Sequence, residues 1–170
     1  MAASGPPADR FGFDDNRNVL TEAIGKLVPQ SIARRALAVD VDTDRSTYAV
    51  GEEVAFRVVV HNRLPLPVVV ETPDRRLWGW TVDGELEASD EPRFDDPGRD
   101  TPGTFVFRGR ERKVVSRTWH GRFRRVGDDA TRWVDAAPGR HELGVFLAYE
   151  GGARATTTFE VSPDSRGTNR

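Results

Sequence analysis

The stretch that most restricts what this chain can fold into is Gly51-Glu-Glu-Val-Ala-Phe-Arg-Val-Val-Val-His-Asn62. After Gly51 and two carboxylates, Val54, Phe56, Val58 and Val60 recur at every second position, with Ala55, Arg57 and His61 between or beside them. Side chains of an extended chain point alternately to its two faces, so this spacing predicts a half-buried antiparallel strand. A Pro-rich corner, Pro65 and Pro67, follows Asn62 and interrupts it.

The same period recurs along the chain. Leu37, Val39 and Val41 alternate with Ala38, Asp40 and Asp42 and predict a first strand, followed by a turn over residues 46–51 that carries Tyr48. Further strands are expected at 68–71, at 77–82 before an Asp83-Gly84 turn, and at 85–88, which can pair back across that turn. Residues 104–108 and 112–122 are expected as strands flanking a turn at 109–111. Residues 127–130 read as another turn, with a short run from Trp133, and 141–148 and 153–161 as a closing hairpin through Glu150-Gly151-Gly152. About seven or eight short strands with turn chemistry between them, and no alternation of strands with helices, predict an all-β sandwich.

The ends of the chain have a different character. Residues 1–15 are rich in Gly, Pro and Asp and are expected to be disordered, and the polar tail at 162–170 is expected to be flexible. Between them and the strands, a helical extension is expected over residues 16–36. Asn18 can cap it, and Val19, Leu20, Ala23, Ile24, Leu27 and Val28 share a face before Pro29. Ser31 can cap a second short turn over residues 32–36. The boundary with the sandwich, 37–161, falls near Arg35 to Leu37.

Composition narrows the class of function. The chain has no cysteine, which excludes disulfides, thiol nucleophiles and Cys-ligated zinc and fits a cytoplasmic protein. Its net charge of −2 names no partner, and no stretch is apolar and long enough to span a bilayer as a helix. No secretory signal is expected at the start of the chain. Lys26 and Lys113 are the only lysines against many arginines, a balance expected of a GC-rich genome and a salt-adapted host. No cofactor or metal is expected, and no catalytic signature is present. Asp40, Asp42 and Asp44 do not continue into a calcium loop, because counted from Asp40 the positions that need Gly and Glu hold Arg45 and Gly51. His61, His120 and His141 have no short-range pairing to support a metal site, and no glycine-flanked serine supports a triad of Ser116, His120 and Asp128.

Three landmarks resemble the intracellular proteinase inhibitor (BsuPI-like) family over about residues 37–161. They are Tyr48-Ala-Val-Gly-Glu-Glu-Val-Ala-Phe56 running to Asn62 and Pro67-Val68, the Arg108-Gly-Arg-Glu111 turn into a strand ending Thr118-Trp119, and Ala137-Pro-Gly139 before the closing strand, with His141 where the family has Tyr. The resemblance implies an immunoglobulin-like antiparallel β-sandwich and a non-enzymatic protein-binding module, with an intracellular serine protease as one partner. Trp78-Gly-Trp80 and an acidic loop at 89–103 depart from the family's middle.

Two interaction surfaces are expected. Trp78 and Trp80 share a strand face, so both are buried or both exposed. Core packing is the plainer reading, and an exposed pair would join Glu87, Asp90 and Phe94 as a protein-binding surface. Presentation of the loops at 84–103 and 122–136 is the expected mechanism. The alternative is nucleic-acid or anionic-surface binding through a stripe from Arg108 to Arg125, chiefly Arg108, Arg110, Arg112, Arg122 and Arg124. Against it stands pairing of these arginines with the acids of 83–100. Asp90, Glu91, Asp95, Asp96 and Asp100 offer oxygen ligands without a recognised spacing, so a solvated loop is the plainer reading there too.

Overall fold

The alternation of apolar residues is realised as two facing sheets in the computed structural model, which describes residues 27–91 and 101–163. One sheet has the order β1-β3-β8, from Leu37–Thr43, Val54–Asn62 and Arg112–Trp119, all antiparallel. The other has the order β2-β12-β11-β5-β6, from Thr47–Ala49, Arg154–Ser162, Gly139–Leu147, Trp78–Val82 and Glu85–Leu86. Two further pairs flank them: β4 (Val68–Thr72) with β7 (Gly103–Phe107), and β9 (Arg122–Val126) with β10 (Thr131–Asp135).

Val54, Phe56, Val58 and Val60 are all buried and point at the opposing sheet, as their period requires. Aromatic contacts close the sandwich from both sides. Phe56 meets Trp80 at 5.4 Å between ring centroids, and Trp119 meets Phe159 at 5.9 Å. Tyr48 stands edge-on to the same Phe159. Trp119 is buried, as its place in the strand suggests, and donates its indole N–H to Arg122 O at 2.9 Å. The architecture is the expected immunoglobulin-like all-β sandwich.

The finer expectations need several corrections. Twelve strands stand among the described residues, because short pairings that leave little sequence signal count as strands. Residues 46–51 are not merely a turn: β2 pairs in parallel with β12, the one parallel pairing of named strands here. The expected strand over 112–122 breaks at Gly121 (φ +68), where a Cβ would sit 2.3 Å from Glu52 O. Residues 122–136 are not a free loop but the β9–β10 hairpin, which the bend at Gly121 launches. The Asp83-Gly84 turn and the Gly151 turn occur as expected, with positive φ at all three residues.

The helix α1 spans Gln30–Ala36 and starts one residue before Ser31, so Ser31 is not its cap. Pro29 takes that position, and its carbonyl accepts from the N–H groups of Ile32 and Ala33. Leu27 and Val28 form a turn; the remainder of the expected first helix, the 1–15 and 164–170 segments, and Phe94 lie outside the described residues. The helix α1 packs on β4. The Gln30 amide donates to Val69 O (2.8 Å) and accepts from Glu71 N (3.1 Å), which is how a neighbouring strand would bond that edge. Arg34 donates to Glu71 O, and buried Tyr149 donates its hydroxyl to Arg34 O.

Candidate interaction surfaces

The first surface begins where the chain leaves the core. Trp78 is 4% exposed, and Trp80 is partly buried against Phe56. Both face inward, because their β5 register opposite Leu147 and Val145 places them over the core. The plainer sequence reading therefore holds for this pair, and an exposed Trp78/Trp80 surface does not form. Gly79 between them leaves the outer face to Phe146, whose ring would lie 2.6 Å from a Cβ there.

The exposed tryptophan is Trp133, at 59%. It lies in the middle of β10, all of whose residues are exposed. The ribbon is rooted firmly at its base. Phe123 is buried against Trp119, Ala136 N donates to Gly121 O, and Arg122 Nε donates to Asp135 Oδ1 at 2.7 Å. One edge of β9 pairs with β10; the other receives the chain after β6, through Arg124 N to Ala88 O (2.8 Å) and Asp90 N to Arg124 O (3.2 Å). Nothing among the described residues pairs with the outer edge of β10. Antiparallel register places Trp133 opposite Arg124 and Thr131 opposite Val126, so an aromatic ring, an apolar side chain and a guanidinium share one face.

Three acids of the preceding segment, Glu85, Asp90 and Glu91, meet β9 here. Glu85 pairs with Arg125, Glu91 pairs with Arg124, and Asp90 accepts from Val126 N at 2.7 Å. Glu87 pairs with Arg76 at 3.2 Å. Thus Glu87 and Asp90, expected at an interaction surface, are both engaged within the fold, Asp90 on the flank of the ribbon and Glu87 on Arg76. Hydrogen bonding to Glu85 holds the Arg125 guanidinium above its ordinary value.

The arginines of the expected stripe divide into two sets. Arg122 and Arg124 lie on β9 with carboxylate partners. Arg108, Arg110 and Arg112 lie at the other side of β8, around a turn, and all three are exposed. The strand does not run on through that turn: Arg110 has φ 60, and β7 ends at Phe107. Asn62 joins this turn to the Pro-rich corner. Its side-chain amide, buried at 1% exposure, donates to Leu66 O (2.8 Å) and Arg108 O (2.9 Å) and accepts from Leu64 N (3.0 Å). Arg110 N donates to Leu64 O, and Asn62 N to Glu111 O. Arg63 thereby joins the same corner, a neighbour that no reading of local spacing could have found.

The histidines are far apart in role. His141 is buried, stacked on Phe159, with Nδ1 2.7 Å from Asp83 Oδ2 and Nε2 2.8 Å from Ala137 O. His120 is exposed and meets Glu53 at 3.0 Å, while His61 lies 3.7 Å from Asp40. No group of three or more His, Cys, Asp or Glu suited to a metal occurs among the described residues. Asp40 and Asp42 stand on the solvent side of β1, and Asp44 accepts the Tyr48 hydroxyl at 2.5 Å. No helix among the described residues is long and apolar enough to cross a membrane.

A family model described as a family of unknown function (DUF7974) matches residues 25–162. No curated protein matches the sequence. Among solved structures, the chain is similar to the CARDB domain of a Pyrococcus furiosus protein, at 15% identity and TM-score 0.46, over 75% of this chain and 94% of that one. It is also similar to β-glucosidases from Listeria innocua (13% identity, TM-score 0.45) and Kluyveromyces marxianus (12%, TM-score 0.43). The match covers 74% of this chain but only 16% and 14% of those enzymes.

Proposed function

The chain belongs to that family of unknown function, and from this premise we propose that it is a non-enzymatic protein-binding module that docks its partner on the β9–β10 ribbon. One observation carries the reading: every residue of β10 is exposed, Trp133 among them, beside an edge that no described residue pairs. Unpaired edges are templates for an added strand, and tryptophan is enriched where interface energy concentrates. The mechanism expected from sequence shifts accordingly. The 122–136 segment presents a rigid hairpin in place of a loop, and the chain at 88–91 braces it.

The test is site-specific capture in cells of the source organism. A photo-crosslinking residue at position 133 should trap a defined protein, and the same residue at exposed position 57, on β3, should not. Equal capture from both positions, or none from 133, would remove the ribbon as the docking surface. The likeness to intracellular proteinase inhibitors names a serine protease as the first partner to try in the cytoplasm. Titration of such a protease with the folded chain supports that identity if activity falls in a Trp133-dependent manner. Unchanged protease activity at micromolar excess eliminates the inhibitor role and leaves the ribbon reading to the crosslinking result.

A further inference from the structure

The corner made by residues 62–67 and 108–112 carries a second surface, independent of the ribbon. Arg63, Arg108, Arg110 and Arg112 are all exposed, and none has an ion-pair partner among the described residues, whereas Arg122, Arg124 and Arg125 each have a carboxylate. The acid within the corner, Glu111, is turned onto the backbone, accepting from Arg108 N at 2.6 Å. On a chain of net charge −2, four arginines without an ion-pair partner among the described residues therefore stand in one corner of the fold.

The corner is built rather than loose. The buried Asn62 amide holds both of its segments, and Gly109 lies so close to Pro65 that a Cβ would come within 1.9 Å of Pro65 O. Arg110 is held at φ 60, a conformation unfavourable for a side chain with a Cβ, and such strain persists only where surrounding contacts impose it. Between Pro65 and Pro67, Leu66 is 57% exposed and adds an apolar contact beside the charges.

We propose that this corner docks an acidic protein segment that sets carboxylates on the arginines and an apolar side chain on Leu66. Guanidinium forks match carboxylates in bidentate geometry, and a prearranged cationic surface gains most in rate and specificity from a partner of opposite charge. A nucleic-acid strand fits less well. The aromatic rings nearest the corner, on β7, do not face out: Phe107 is buried beneath Lys113 and Phe105 is partly buried against the core, so no exposed ring among the described residues of the corner offers bases a stacking platform.

The experiment titrates the full chain with a labelled glutamate-rich peptide carrying one central leucine. Single-stranded DNA of equal charge and phosphatidylserine vesicles are run in parallel. Peptide binding should weaken by about tenfold between roughly 50 and 200 mM salt, through screening of exposed charges. The double variant Arg108→Glu/Arg110→Glu should weaken it by about tenfold or more, and Leu66→Ser by roughly threefold. Arg132→Glu on β10 should leave it unchanged. Arg63→Glu gives an independent charge reversal if the double variant fails to fold, as judged by its urea midpoint. Absence of peptide binding at low salt overturns the proposal. So does an equal loss in Arg132→Glu, or tighter binding of DNA or vesicles than of the peptide.

Discussion

Asn62 shows how one side chain can set the shape of a surface. Three hydrogen bonds from a 1%-exposed amide join segments 46 residues apart. Removing that amide leaves two carbonyls and one N–H in a part-buried corner without their partner, and such a group costs about 1–3 kcal/mol where water cannot reach it. Asn62→Ala is therefore expected to lower unfolding free energy by about 2–4 kcal/mol in urea denaturation. A loss below about 0.5 kcal/mol would mean that water replaces the amide there. Three ionisable groups make predictions of two opposite signs. Burial pushes the Tyr149 hydroxyl from 10.0 to about 12, so its contribution is fully present below pH 10 and is lost as pH rises through 12. Tyr149→Phe should flatten that alkaline limb of the stability curve. Conversely, the Tyr48 hydroxyl holds Asp44 below 3.8, and the Ala49 N–H holds Glu52 below 4.5. Their contribution is present above those ordinary values and is lost as pH falls below them, and Asp44→Asn with Glu52→Gln should flatten the acid limb.

The strands differ sharply in what they contribute. β3 is a core element, and its inward residues are legible from period two alone. β10 contributes almost no core, and its Trp133 is indistinguishable by residue type from buried Trp119. Truncation separates them. Trp119→Ala should cost about 3–5 kcal/mol through the cavity it leaves, whereas Trp133→Ala should stay within about 0.5 kcal/mol of the parent. Acrylamide should quench the emission of Trp133 preferentially, and a loss of stability in Trp133→Ala comparable to that of Trp119→Ala would place it in the core. The helix α1 acts on an edge. Because Gln30 occupies the hydrogen-bonding groups of Val69 and Glu71, Gln30→Ala should speed amide hydrogen exchange at Glu71, whose N–H it accepts. Unchanged exchange there would show that the helix does not protect that edge.

Across the molecule, charge is arranged in two different ways. On the ribbon flank, acids and arginines neutralise each other, and pairs of this exposure add only about 0–1 kcal/mol each while fixing how the segments meet. At the corner of residues 62–67 and 108–112 the arginines have no ion-pair partner among the described residues. The two surfaces are independent by position, so salt should weaken binding at the corner and leave Trp133-dependent capture largely intact. Joint loss of both with salt would show that they serve one electrostatic interface.

Alternation at period two, Gly and Pro punctuation and the Asp-Gly turn are local signals. They were enough to place the main strands, their inward faces and the immunoglobulin-like sandwich, since which face a residue points to depends only on its neighbours along the chain. Local spacing could not distinguish an outward tryptophan from an inward one. It could not show that Arg124 is paired while Arg110 has no ion-pair partner among the described residues, or that Arg63 joins a turn more than forty residues away. Those outcomes depend on strand register and on which backbone groups find partners across the fold. The Asn62 that ends the β3 pattern is where the two kinds of information meet. Its position closes a strand in the sequence, and its buried amide joins a corner that exists only in three dimensions.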